Sequence, residues 1–165
     1  MNPSLPLVAL LALAALPVQA DGVVRRGGDA FPIASSVTVP AGAELTFVSG
    51  MLADVADPDA PAGSIERLGD TATQAHSVLG KIARELATAG LGMGDVVKMN
   101  VFLMGDPAGG GGMDFAGLMQ AYREFFGSEA QPNLPARTTV QVAGLPLPGA
   151  LVEIEVIAAR LPDRD

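Results

Sequence analysis

Polar and apolar residues alternate at period two in "SSVTV" and "ELTFVSG", and the "PAGA" between them is a turn, so the first ordered stretch predicts a hairpin of half-buried strands. From Asp70 to Ala89 the period changes. Ala75, Val78, Leu79, Ile82, Leu86 and Ala89 recur at spacings of three and four, which is the stripe of a helix with one buried side, and Gly90 suits the position just past its end. "DVVKMNVFLM" is almost continuously apolar and reads as a centrally placed strand. A second helix is predicted in "DFAGLMQAYREFFG", with Asp114 as N-cap, Gly127 as terminator and Phe115, Leu118, Met119, Tyr122 and Phe126 turned to the core. Two further strands, "RTTVQVA" and "LVEIEVIAA", are joined by the Pro/Gly-rich "GLPLPG".

The order β-β-α-β-α-β-β places two helices on one face of a mixed or antiparallel sheet, an α+β two-layer sandwich. The other face is then bare. Val48, Val97, Val140 and Val156 leave both strand faces apolar enough that self-association through the uncovered face is expected.

Outside this pattern lie two ends. Residues 1–20, "MNPSLPLVALLALAALPVQA", carry no charged side chain, are too short in their apolar run to span a bilayer, and close on Val18-Gln19-Ala20, which predicts a cleaved export signal and a periplasmic or secreted protein without stable membrane insertion. Their positive charge is the terminal amine alone, since no Lys or Arg precedes the apolar run. Residues 21–30 are Gly-rich and weakly patterned, a flexible arm; residues 31–161 form the single domain, and 162–165 a tail.

Charge narrows the function. The net charge is −8 and the ten Lys and Arg residues are scattered, with Arg25-Arg26 their one adjacent pair, so no groove for nucleic acid is expected. His76, the one histidine, has no Cys or second His to share a metal with, and is assigned no chemistry. The four glycines of "GDPAGGGGM" lack the Lys-Ser or Lys-Thr of a phosphate cradle and read as a loop.

The last two strands hold the informative charges. Arg137, Thr139 and Gln141 share one strand face, and Glu153 and Glu155 share one face of the next. If these strands pair antiparallel, a guanidinium comes to lie near two carboxylates. Two readings stay open at this point: an ordinary cross-strand ion pair on a solvated face, or an arginine fork for a carboxylate ligand beside a glutamate that holds or deprotonates a water.

At these residues the chain resembles the reactive-intermediate deaminases, the Rid/YjgF family. "PARTTVQVAGLPLPGALVEIEVIA" is similar to that family's C-terminal pattern, and "FPIASSVTV", "LTFVSG", "VVKMNVFL" and "DFAGLMQAYREFF" extend the likeness over about Phe31 to Arg160. The resemblance implies a chorismate-mutase-like fold, a homotrimer with sites between subunits, and hydrolysis of 2-imino acids or their enamine tautomers to 2-keto acids and ammonia with no cofactor and no metal. It further implies that Arg137 grips the substrate carboxylate, that Glu153 positions the attacking water, and that Gly50, Thr139, Ile33, Met51 and Phe102 line the substrate. Thr139 stands where close members carry Cys, Ile33 where Tyr is common, and Met51 where Gln is common. The apolar Ile33 and Met51 imply a preference for imines with longer side chains. A non-catalytic module that binds small carboxylates in the same pocket is the alternative, and a ribonuclease or translation inhibitor fits the acidic charge poorly.

Overall fold

A computed structural model describes residues 22–28 and 30–162; the expected export signal and the last three residues of the expected tail lie outside the described residues. Strands β1 (Val24–Arg26) and β2 (Ser36–Thr38) are followed by β3 (Glu44–Leu52), a short helix α1 (Ile65–Leu68) and the long α2 (Thr71–Thr88). Then come a 3-10 turn at Met93–Asp95, β4 (Val96–Leu103), α3 (Phe115–Phe125), β5 (Ala136–Gln141) and β6 (Val152–Arg160). The α+β sandwich expected from the pattern is present: α2 and α3 lie together on one face of a four-stranded mixed sheet.

Both long helices start and stop where their side chains dictate. The Asp70 carboxylate accepts the amide of Thr73 at 2.8 Å and that of Asp114 accepts the amide of Gly117 at 2.9 Å, so an orphan donor of each first turn is satisfied. At the end of α2, Gly90 takes φ +69°, its amide donates to Ala87 O, and Leu91 N donates to Leu86 O at 2.9 Å. Leu86 and Leu91 are both buried, the apolar contact that accompanies this C-terminal motif.

The sheet order is β3-β6-β4-β5, with β5 parallel to β4 and the other pairs antiparallel. Two expectations are corrected here. β2 does not form a hairpin with β3; it pairs with β1, and so the arm expected at 21–30 contributes a strand, Val24–Arg26, held further by Arg25, which donates to Gly94 O at 2.7 Å. β5 and β6 do not pair either, because β4 lies between them: "GLPLPG" is part of a crossing connection, and Gln74 fastens it down rather than a tight turn closing it.

Val152, Ile154, Val156 and Ala158 alternate with Glu153, Glu155 and Ile157, and the first set is 0–2% exposed beneath the helices. The second set lies on the uncovered face, where Leu45, Phe47 and Val140 are exposed, Phe47 to 71%. Of the four valines expected to make both faces apolar, Val48, Val97 and Val156 are buried and Val140 is on the bare side. The domain thus presents a sheet face, with exposed apolar side chains among its polar ones, that its own helices do not reach.

Candidate functional site

The mixed topology splits the residues singled out from sequence between the two faces of the sheet. Arg137 and Thr139 register with Met99 and Val101, both fully buried, so these two side chains turn toward the helices. Thr138 and Val140 register with Asn100 and Phe102 on the bare face. Glu153 and Glu155 lie on that bare face as well, in register with Phe102 and Asn100 of β4. The expected meeting of Arg137 with two carboxylates through pairing of their strands does not occur within one chain: a strand intervenes and the side chains leave opposite faces.

What Arg137 meets is apolar. Its guanidinium carbon is 4.4 Å from the ring centroid of Tyr122, 5.6 Å from Phe115 and 5.7 Å from Phe31, and Nη2 donates to Met119 Sδ at 3.2 Å. Three of these partners sit at spacings of four and three on α3, whose inward stripe therefore builds the floor of a cationic corner. The fourth, Phe31, arrives from the loop before β2. That loop is tied to the start of β5 by Ala34 N donating to Pro135 O at 3.0 Å, and Ile33 lies half-buried within it.

No carboxylate compensates this cation among the described residues. Arg137 Nη1, Tyr122 Oη and Thr139 Oγ1 are all buried without a protein partner. Burial pushes the Arg137 guanidinium down from its ordinary value and the facing Tyr122 opposes the shift; an arginine stays charged through such a perturbation. Burial likewise pushes the Tyr122 phenol up to about 12, so it is a neutral donor at physiological pH. Two donors and a hydroxyl left unpaired in an apolar corner cost stability that an anionic, hydrogen-bonding ligand would restore. A carboxylate has the charge and the acceptor oxygens that match these groups.

The bare-face group has the opposite character. Asn100 Nδ2 donates to Glu155 Oε1 at 2.8 Å, whereas Glu153 takes no hydrogen bond or ion pair among the described residues. One extra residue bulges β3 between Val48 and Met51, bringing the backbone at Gly50 against the Glu153 carboxylate so closely that a β-carbon there would overlap it. Both glutamates thus face the same side, Glu155 engaged and Glu153 free. Met51, in register with Ile154, packs half-buried against the core. Phe102 is half-buried on the bare face, and a groove of about 370 Å³ runs there between Phe47, Ser49, Lys98, Asn100 and Glu155.

Sequence reading missed the aromatic cage around Arg137. The signal was present: Phe115, Met119 and Tyr122 continue one stripe, here assigned wholly to the core. Among the described residues no cluster of His, Cys, Asp or Glu is arranged to hold a metal, and no helix is long and apolar enough to cross a membrane.

Comparison with known proteins gives consistent results. The family described as Endoribonuclease L-PSP matches residues 32–160. The chain is 33% identical over 136 residues to 3-aminoacrylate deaminase RutC of Acinetobacter baylyi, covering 82% of this chain and 95% of that protein. It is 38% identical over 91 residues to the 2-iminobutanoate/2-iminopropanoate deaminase of Escherichia coli, an alignment that spans 55% of this chain and 65% of the relative. Escherichia coli TdcF, solved with bound serine, superposes with a TM-score of 0.54 at 33% identity, over 78% of this chain and 92% of that one.

Proposed function

From the premise that the chain belongs to the Endoribonuclease L-PSP family, which includes the Rid/YjgF reactive-intermediate deaminases, we propose that it hydrolyses 2-imino acids to 2-keto acids and ammonia. The observation that carries this reading is the buried Arg137 guanidinium with an unpartnered Nη1 and no anionic neighbour. A planar fork fixes both the position and the plane of an acid group, which a lysine would not do.

With the acid held there, the adjacent imine carbon is presented to water. A protonated imine is already a strong electrophile, so orientation supplies most of what the reaction needs. Water adds to the carbon as a carboxylate accepts its proton, and the carboxyl group passes that proton to the amine nitrogen of the carbinolamine. The carbon–nitrogen bond then breaks as the carbonyl forms and the hydroxyl proton leaves, releasing ammonia. Glu153 is the free carboxylate suited to that role. Because Arg137 and Glu153 leave opposite faces of one sheet, the reading requires that Arg137 of one copy work with Glu153 of the partner subunit. A homotrimer that buries Leu45, Phe47 and Val140 would supply that arrangement. The first twenty residues, read as an export signal, put the reaction in the periplasm or outside the cell.

The second reading is a carboxylate-binding module using the same corner without turnover, which the free Arg137 supports equally. One assay separates them. An amino-acid oxidase generates the imine in the presence of semicarbazide, and loss of the semicarbazone signal measures hydrolysis. The proposed enzyme suppresses the signal and Arg137→Ala does not; wild type indistinguishable from Arg137→Ala leaves the binding module.

A further inference from the structure

We infer that Phe31, with Phe115, is the specificity wall of the Arg137 corner, and that the acid taken there carries a bulky apolar group on its 2-carbon, such as a leucine- or phenylalanine-type side chain. This rests on the carboxylate-receptor reading above and adds to it which acids are selected.

Phe31 is 39% exposed, and its ring stacks on Phe115 with centroids 6.0 Å apart and planes 17° from parallel. Among the described residues Phe31 pairs with no other ring, and Phe115, which packs against the core, carries it as a small apolar wall at the surface. Both rings stand 5.6–5.7 Å from the guanidinium carbon, while the Tyr122 ring closes the corner at 4.4 Å. The loop bearing Phe31 is held in place rather than loose. Ile33 N donates to Phe31 O at 2.7 Å across Pro32, and Ala34 bridges to Ala136, the residue before Arg137.

A carboxylate hydrogen-bonded to the guanidinium carries its own 2-carbon and first substituent within about 4–6 Å of the nitrogens, which is contact distance from a wall at this separation. A methyl group is too short to cover the exposed ring, whereas a branched or aromatic side chain removes it from water. Apolar walls of this kind discriminate by about 10–200-fold for each increment of fit. Ile33, two residues further along the same loop, is a partly buried apolar residue packed against the core.

The test compares kcat/KM for the imines of alanine, leucine and phenylalanine in the semicarbazide assay, for wild type, Phe31→Ala and Phe31→Leu. The ratio of phenylalanine or leucine imine to alanine imine is expected to exceed tenfold in wild type, to fall to near one in Phe31→Ala and to lie between in Phe31→Leu. A wild-type ratio below one, or a ratio that Phe31→Ala leaves unchanged, overturns the inference. Calorimetric titration with phenylpyruvate and pyruvate reads the same wall without turnover. If no imine is hydrolysed but phenylpyruvate binds at least tenfold tighter than pyruvate, and Phe31→Ala abolishes the difference, the deaminase reading fails and the wall stands. If both acids bind equally while imines are hydrolysed, the deaminase stands and the wall fails.

Discussion

Gln74 and Arg137 are both polar side chains sunk among apolar neighbours, and the molecule treats them in opposite ways. Gln74 is fully buried, and each part of its amide is used: Nε2 donates to Gly69 O at 2.8 Å and to Gly149 O at 3.0 Å, and Oε1 accepts the amide of Leu151 at 2.7 Å. It thereby fastens the connection before β6 onto α2. Arg137 has aromatic faces, a thioether and an unpartnered donor. A satisfied buried amide has a complete structural explanation; a buried cation with an empty donor leaves a group that the proposed ligand would satisfy. The contrast separates a residue that holds the fold from the one proposed to hold the substrate.

The sharpest way to break that contrast is Arg137→Met. If the guanidinium is held for a ligand, imine turnover falls by a hundredfold or more in kcat/KM, while the melting temperature stays level or rises because an uncompensated buried charge has gone. A large loss of stability with activity retained would make Arg137 a structural residue like Gln74. Gln74→Leu is the mirror experiment: it strands Leu151 N and the carbonyls of Gly69 and Gly149, and is expected to cost roughly 2–4 kcal/mol in chemical denaturation without changing the imine selectivity of the folded fraction.

Tyr122 gives a smaller effect. Its folded pKa is raised to about 12, above the ordinary value of 10.0, because burial penalises the phenolate, so the fold keeps its full stability below pH 10. That stability is lost as pH rises from 10 toward 12, at about 1.4 kcal/mol per pH unit. Because this is the one tyrosine of the chain, ultraviolet absorbance titration isolates it. Release of the phenol proton near pH 10 in the folded protein would contradict its burial. Smallest is Thr139→Val, which replaces an unpartnered buried hydroxyl by a methyl group of similar shape and should change stability by less than about 1 kcal/mol, in the stabilising direction.

Local periodicity marked α2, α3, β4 and β6 because each has a long, one-sided or continuous apolar pattern that its own residues suffice to reveal. β1 escaped because three residues flanked by glycines carry no period, and its partner is ten positions away. Which strand neighbours which was not legible: the hydrophobic pattern of "RTTVQVA" is the same whether it pairs with β4 or β6. That one uncertainty moved Arg137 from beside two glutamates to the far side of the sheet. The arginine itself was visible as a lone cation on a strand, and Glu153 was preferred to Glu155 on the family resemblance alone, whereas the pattern left both on one face and only Gly50 and Asn100 give the two different surroundings. Gln74 had a signal that went unread, since it stands four residues before Val78 and eight before Ile82, a polar residue on the buried stripe.

β6 comes after every other strand in the chain, yet it lies between β3 and β4 with hydrogen bonds to both. A growing polypeptide therefore cannot complete the four-stranded sheet until β6 has left the ribosome, and anything shorter lacks the middle of its own architecture.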